Sequence, residues 1–184
     1  MKGKKIFFLI FGLVILLVPI YVIMNSESIL EKGHRHKLHL QGFDPFDPFR
    51  GKYLRLSYDD NVDGDEALKE GDKVYVTFVK DSLGFSQFDF AHKEKPDHDD
   101  YMTTTIVEPR FFWDTGEGNF TIKLDNLTKY FINENKAKEA EKIVMDYTRE
   151  RPNDIYVAIR VLDGEARLED IFVEEIPLLE FLEK

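Results

Sequence analysis

The sequence predicts an α+β protein: a single N-terminal transmembrane helix, then one β-rich extracytoplasmic domain with one amphipathic helix. That domain is expected to be mostly antiparallel sheet or a partly open barrel. Three observations predict it. Residues 6–24, "IFFLIFGLVILLVPIYVIM", run without a single charge. Beyond them, short stretches alternate apolar and polar residues between charged or glycine-containing turns. A helical stripe stands out in one segment, 134–151.

The anchor comes first. A 19-residue helix is about 28 Å long, close to the hydrocarbon thickness of a bilayer. Fifteen of those residues are Leu, Ile, Val or Phe, each favouring insertion by roughly 0.3–0.6 kcal/mol near the centre. Pro19 lies near one end, where its missing N–H matters least. A cleaved signal peptide has a core of about 7–15 residues followed by a small-residue site. Here bulky Ile23 and Met24 close the run, and Ser26-Glu27-Ser28 is a poor cleavage match. The span is therefore expected to stay in the lipid bilayer. Lys2, Lys4 and Lys5 precede it. The positive-inside bias then leaves residues 1–5 in the cytoplasm and the remainder outside, a single-pass protein of the cell membrane. Residues 25–34 are polar and mixed, a tether; 35–184 form the domain.

Within the domain, 37–41 ("KLHLQ") alternates as a strand. The stretch 43–49, "FDPFDPF", is held extended by its prolines. Its Phe43, Phe46 and Phe49 give a polyproline-like ribbon one apolar edge. After Gly51 the chain alternates, with Leu54, Leu56 and Tyr58 on one face and Tyr53, Arg55 and Ser57 on the other. Residues 59–71 read as a solvated loop. The run 72–81, apolar on both faces, is a central strand, and 84–92 pairs with it across "DSLG". A second charged loop, 94–100, precedes the β-branched and aromatic run 101–113, which Pro109 interrupts at a bulge or corner. Residues 119–131 alternate as a further strand. Asn133 caps the helix, and Pro152 ends it. Ala137, Ala140, Val144 and Tyr147 form its apolar stripe, with Ile143 beside it. Residues 155–175 form a hairpin about Asp163-Gly164. The tail 176–184 is short, apolar and ambiguous.

Composition excludes several functions. The whole-chain charge of −10 becomes −13 once the three leading lysines are set aside, and such a surface repels nucleic-acid phosphates. No cysteine is present, so disulfides, a thiol nucleophile and cysteine-bound metals are excluded. No motif calls for a cofactor.

One stretch carries a family resemblance. "RGKYLRLSY", residues 50–58, resembles the signature of the GDYXXLXY family, membrane-anchored proteins of uncharacterised function. Gly51, Tyr53, Leu56 and Tyr58 match G-D-Y-x-x-L-x-Y, while Lys52 replaces the aspartate. The lead-in "DPFDP" is similar to the family's Asp-Pro-x-Asp approach. A second segment, "KYFINENKAKEAEK", resembles the family in Tyr130, Phe131, Glu134 and Glu141. The resemblance spans nearly the whole chain and implies motif residues with a structural role. A carboxylate acting as base or ligand could not be exchanged for an ammonium, so position 52 reads as a solvated strand entrance.

Other constellations are weaker. His34 and His36 fall on one strand face with His39 nearby, but the ligand set for a metal is incomplete. His92 and His98 among Asp97, Asp99 and Asp100 lack EF-hand spacing. Asp44 and Asp47 each precede a proline and suit local turns. Ser57, Ser82 and Ser86 are the candidate nucleophilic hydroxyls, and none lies in G-x-S-x-G. The Arg-Gly-charged-β step is similar to a box of type I signal peptidases, but their Ser-Met-x-Pro segment is absent after the anchor. The expectation is a non-enzymatic domain that binds another membrane or envelope protein. A signal-peptidase-like hydrolase, intact or degenerate, is the alternative, and a ligand-binding sensor a third.

Overall fold

Helix α1 (Lys2–Lys32) opens the structure, a computed structural model that describes residues 2–41, 53–65, 67–111 and 118–183. Strands β1 (His34–Leu38), β2 (Tyr53–Arg55), β3 (Asn61–Gly64), β4 (Lys73–Lys80) and β5 (Ser86–His92) follow. Next come β6 (Met102–Phe111), β7 (Gly118–Ile122) and β8 (Lys129–Phe131), then α2 (Glu134–Glu150). β9 (Ile155–Leu162), β10 (Glu165–Val173), β11 (Ile176–Pro177) and α3 (Leu178–Phe181) complete the chain. The Phe43, Phe46 and Phe49 ribbon, Asp44, Asp47, Gly51 and Lys52 lie outside the described residues.

α1 is long and apolar enough to cross a membrane, and side chains such as Phe8, Leu16 and Tyr21 stand exposed along it. Pro19 lies inside the helix rather than near its end, a position that membrane-spanning helices tolerate. Where a tether was expected, the helix continues to Lys32. No glycine or proline interrupts residues 25–32, and Ile29 is buried where these turns lie against β9 and β10. Asn25 Nδ2 donates to Glu165 Oε2 at 3.2 Å. Gly33 then ends the helix: a Cβ there would lie 2.5 Å from the Ile29 carbonyl oxygen and 3.0 Å from that of Val161. Only glycine lets the chain leave so close to β9.

β1, β9, β10 and β11 form one antiparallel sheet in that order. β9 is buried on both faces, from Ile155 through Ile159, as its unbroken apolar run requires. The β9–β10 hairpin turns at Asp163 and Gly164, both at positive φ, as a tight two-residue turn demands. The expected strand at 37–41 is displaced to 34–38 by its pairing with β9.

The second body is a closed barrel of β3, β5, β4, β6 and β7, in that order around the ring. Closure rests on β3, in the loop expected to be solvated. Val62 is buried among the barrel side chains, and β3 pairs antiparallel with β7 and parallel with β5. Gly64 makes that squeeze possible: an added Cβ would meet Leu68, the Ala91 carbonyl and Phe120 at 3.0–3.1 Å. β6 runs through Pro109 with a register shift just before it, between Ile106 and Glu108. The run 119–131 splits into β7 and β8 across a turn, and the two strands join different sheets.

β2 and β8 pair antiparallel. α2 starts at Asn133, whose side chain accepts from the Asn135 N–H, and buries Ala140 and Val144. The ambiguous tail becomes β11 and α3, with Leu178 fully buried. One continuous core joins barrel, β9–β10 sheet and α2. The whole is α+β, a β-rich body behind an apolar helix.

Candidate functional site

Two regions gather the residues that the sequence singles out. The first unites the two motif segments. β2 and β8 pair with Leu54 opposite Tyr130 and Tyr53 opposite Phe131, so stretches far apart in sequence meet as neighbouring strands. Alternation sends Leu54, Leu56 and Tyr58 inward, and all three are buried. The Leu56 N–H donates to the Thr128 carbonyl at 2.9 Å, and Tyr58 donates its hydroxyl to the Leu127 carbonyl at 2.7 Å. Burial pushes the Tyr58 phenol well above its usual range. Tyr130 donates to Asp170 Oδ1 at 2.8 Å; burial and that carboxylate likewise push it up.

The other half of this pair faces outward. Phe131 is 72% exposed, its ring 5.9 Å from half-buried Tyr53. Lys129 Nζ lies 5.6 Å from the centre of the Tyr53 ring. Leu179 on α3 lines the same shallow depression as Phe131 and is exposed as well. Glu134 sits in the first turn of α2, where the helix dipole favours an anion. Glu141 is half-buried two turns on.

The second region is the seam between β1 and the barrel. β1 presents His34 and His36, His39 follows just beyond it, and each of the three meets its own aspartate. His34 Nε2 lies 3.0 Å from Asp99, His36 Nε2 2.7 Å from Asp100, and His39 Nε2 4.0 Å from Asp81. His36 is 2% exposed, its ring stacked 4.1 Å from that of Phe78 on β4. Its Nδ1 lies 3.0 Å from Ser86 Oγ on β5. A carboxylate accepts only, so Nε2–H donates to Asp100 and Nδ1 accepts the Ser86 hydroxyl proton. Burial lowers the tendency of His36 to take a second proton, an effect that outweighs the attraction of Asp100. At the exposed end, the hydrogen bond from His34 holds Asp99 below the usual carboxylate range.

A cleft of about 430 Å³ runs along this seam. Leu38, His39, Gln41, Tyr58, Ser86 and Phe88 line it, together with Asp59, Asp63 and Asp89. Of the three candidate hydroxyls, Ser57 is exposed beside its bridge to Gln41, and Ser82 is exposed in the β4–β5 turn. Ser86 alone of these meets an imidazole. The structure does not gather the histidines about one point. His92 rests by Phe90 and His98 by Tyr101, and among the described residues no group of three such side chains is arranged to hold a metal ion. The pairing of His36 with Asp100 was missed in the sequence. Its one signal was the alternation that puts His34 and His36 on a single face.

The sequence model for GDYXXLXY protein matches residues 15–171, most of the chain. No curated protein and no solved structure matches it.

Proposed function

Because the chain belongs to the GDYXXLXY family, we propose that it is a non-enzymatic, membrane-anchored protein whose extracytoplasmic β-rich domain binds another membrane or envelope protein. α1 holds the domain at the bilayer, and Lys2, Lys4 and Lys5 keep its start in the cytoplasm. The observation that carries the reading is Phe131. The inward half of the motif pair fills the core, while Phe131 spends a large apolar ring on solvent beside Tyr53 and Leu179. Exposed apolar clusters of this kind mark binding surfaces. This cluster lies at the end of β10 opposite the point where α1 meets Glu165, which suits a partner reached away from the anchor.

A photo-crosslinker at position 131 of the full-length protein in whole cells tests it. The expected result is a specific membrane or envelope protein captured from 131 and not from exposed Glu139 on α2. Equal capture from both positions, or none from 131, refutes the reading.

The Ser86–His36–Asp100 line favours a second reading, a serine hydrolase on a β-fold, with a histidine where signal peptidases use a lysine base. The order of hydrogen bonds matches a serine nucleophile, a histidine base and an orienting carboxylate. Ser86→Ala separates the two. The hydrolase reading requires loss of function at normal protein levels; the binding reading requires function to persist.

A further inference from the structure

His34 and His36 of β1, with His39 just beyond it, line one contact between sheet and barrel. A second is the β9–β10 turn, where the Thr103 N–H donates to the Gly164 carbonyl at 2.8 Å. The inference concerns the histidine contact rather than the partner surface. His36 is its centre. Across the seam it meets Ser86 of β5, Phe78 of β4 and Asp100 just before β6. On the sheet side it stands opposite Ile159 of β9. The charged or titratable groups acting on it are Asp100, Lys80 of β4 and His34 on its own strand. His34 and His39 flank it, against Asp99 and Asp81.

With the imidazole neutral, every polar atom in this line is satisfied: Ser86 donates to Nδ1, and Nε2–H donates to Asp100. A second proton changes the arithmetic. Nδ1 becomes a donor aimed at a hydroxyl that was itself donating, so Ser86 must turn its hydrogen elsewhere inside a buried strand. A full charge also arrives against the face of Phe78, where water is excluded.

We propose that His36 is a proton-operated latch between the β1 sheet and the barrel, closed while its ring is neutral and loosened when the ring is protonated. Burial sets the direction. The folded state holds its proton less readily than the unfolded chain, whose histidine titrates at about 6.5. The contribution to stability is therefore complete above about pH 6.5 and is lost progressively below it. Acidification outside the membrane would open the seam and the cleft along it.

The chain has no cysteine, so spin labels can be placed without background. Labels at exposed Leu83 beyond β4 and exposed Leu179 on α3 report the distance between barrel and sheet in the full-length protein in detergent. The expected result is a narrow distance distribution at pH 8 that broadens or lengthens at pH 5.5. His36→Gln offers an amide to both partners and no titrating proton, and should abolish the change. Asp100→Asn removes the anion that favours the charged ring, and should move the midpoint to lower pH. An unchanged distribution in the wild-type protein overturns the proposal. So does an undiminished pH response in His36→Gln, or a midpoint in Asp100→Asn that stays or rises. If His36→Gln fails to fold, the direction of the Asp100→Asn shift decides alone, because a merely structural histidine would not move it.

Discussion

Truncating Leu56 and truncating Phe131 should have opposite consequences although both belong to the motif segments. Leu56 is 2% exposed within the core, next to Tyr58 and on a strand tied to Thr128 through its own N–H. Leu56→Ala removes buried methyl groups and leaves a cavity, which costs about 2–5 kcal/mol. For a domain of about 150 residues each kcal/mol lowers Tm by about 2–4 °C, so a mid-range loss of ~3 kcal/mol is a fall of about 6–12 °C. Tyr58→Phe leaves the Leu127 carbonyl without its 2.7 Å donor, a penalty of about 1–3 kcal/mol. Phe131→Ala withdraws a ring that is 72% exposed, and exposed sites of this kind stay within about 0.5 kcal/mol. Melting of the full-length protein in detergent, followed by tryptophan or differential scanning fluorimetry, measures all three. A fall for Phe131→Ala as large as that for Leu56→Ala would mean that the ring is structural, and the assignment of a binding role to it would be lost.

Three further outcomes follow from individual contacts. Gly33→Ala forces a Cβ against the Ile29 and Val161 backbones and should destabilise by about 1–3 kcal/mol; new tryptic cleavage after Lys32 would report the loosened junction, and an unaltered digest would refute it. Tyr130→Phe deletes the 2.8 Å bond to Asp170 and should cost about 1–2 kcal/mol by chemical denaturation. Lys37 and Tyr156 hold Glu175 below its ordinary value of 4.5, so its stabilising effect is present above that pH and lost as acid protonates it. Melting temperatures of wild type and Glu175→Gln should therefore differ at pH 7 and converge progressively as the pH falls below 4.5.

Much of the fold was legible because burial leaves a periodic trace. The apolar run 6–24, the inward faces of β2 and β4, the β9–β10 hairpin and the capped helix α2 each carry their own pattern. What escaped depends on distant partners. β3 offers a single buried valine in an acidic stretch, and only the flanking strands β5 and β7 make it a strand. Residues 25–32 read as a tether because their composition is polar. Of their two apolar residues Ile29 is buried and Leu30 exposed, and it is Ile29, with the Asn25 bond to Glu165, that docks them on β9 and β10. The motif faces were readable from alternation, whereas the pairing of β2 with β8 is a matter of register across more than seventy residues.

The seam was the least legible region, and its solvent access bears directly on what Ser86, His36 and Asp100 do. A serine hydrolase buries its carboxylate and presents its hydroxyl to the substrate. Here the order of exposure is reversed. Ser86 is 2% exposed within the β4–β5 ladder, while the Asp100 side chain retains 36% of its surface. The end of the line that meets water most freely is therefore the acid, while Ser86, although it lines the cleft, keeps almost no surface of its own. A proton can reach His36 through Asp100 far more readily than a carbonyl carbon can reach Ser86. The same hydrogen bonds that resemble a catalytic line are thus better placed to sense protons than to break bonds, as the latch we propose requires.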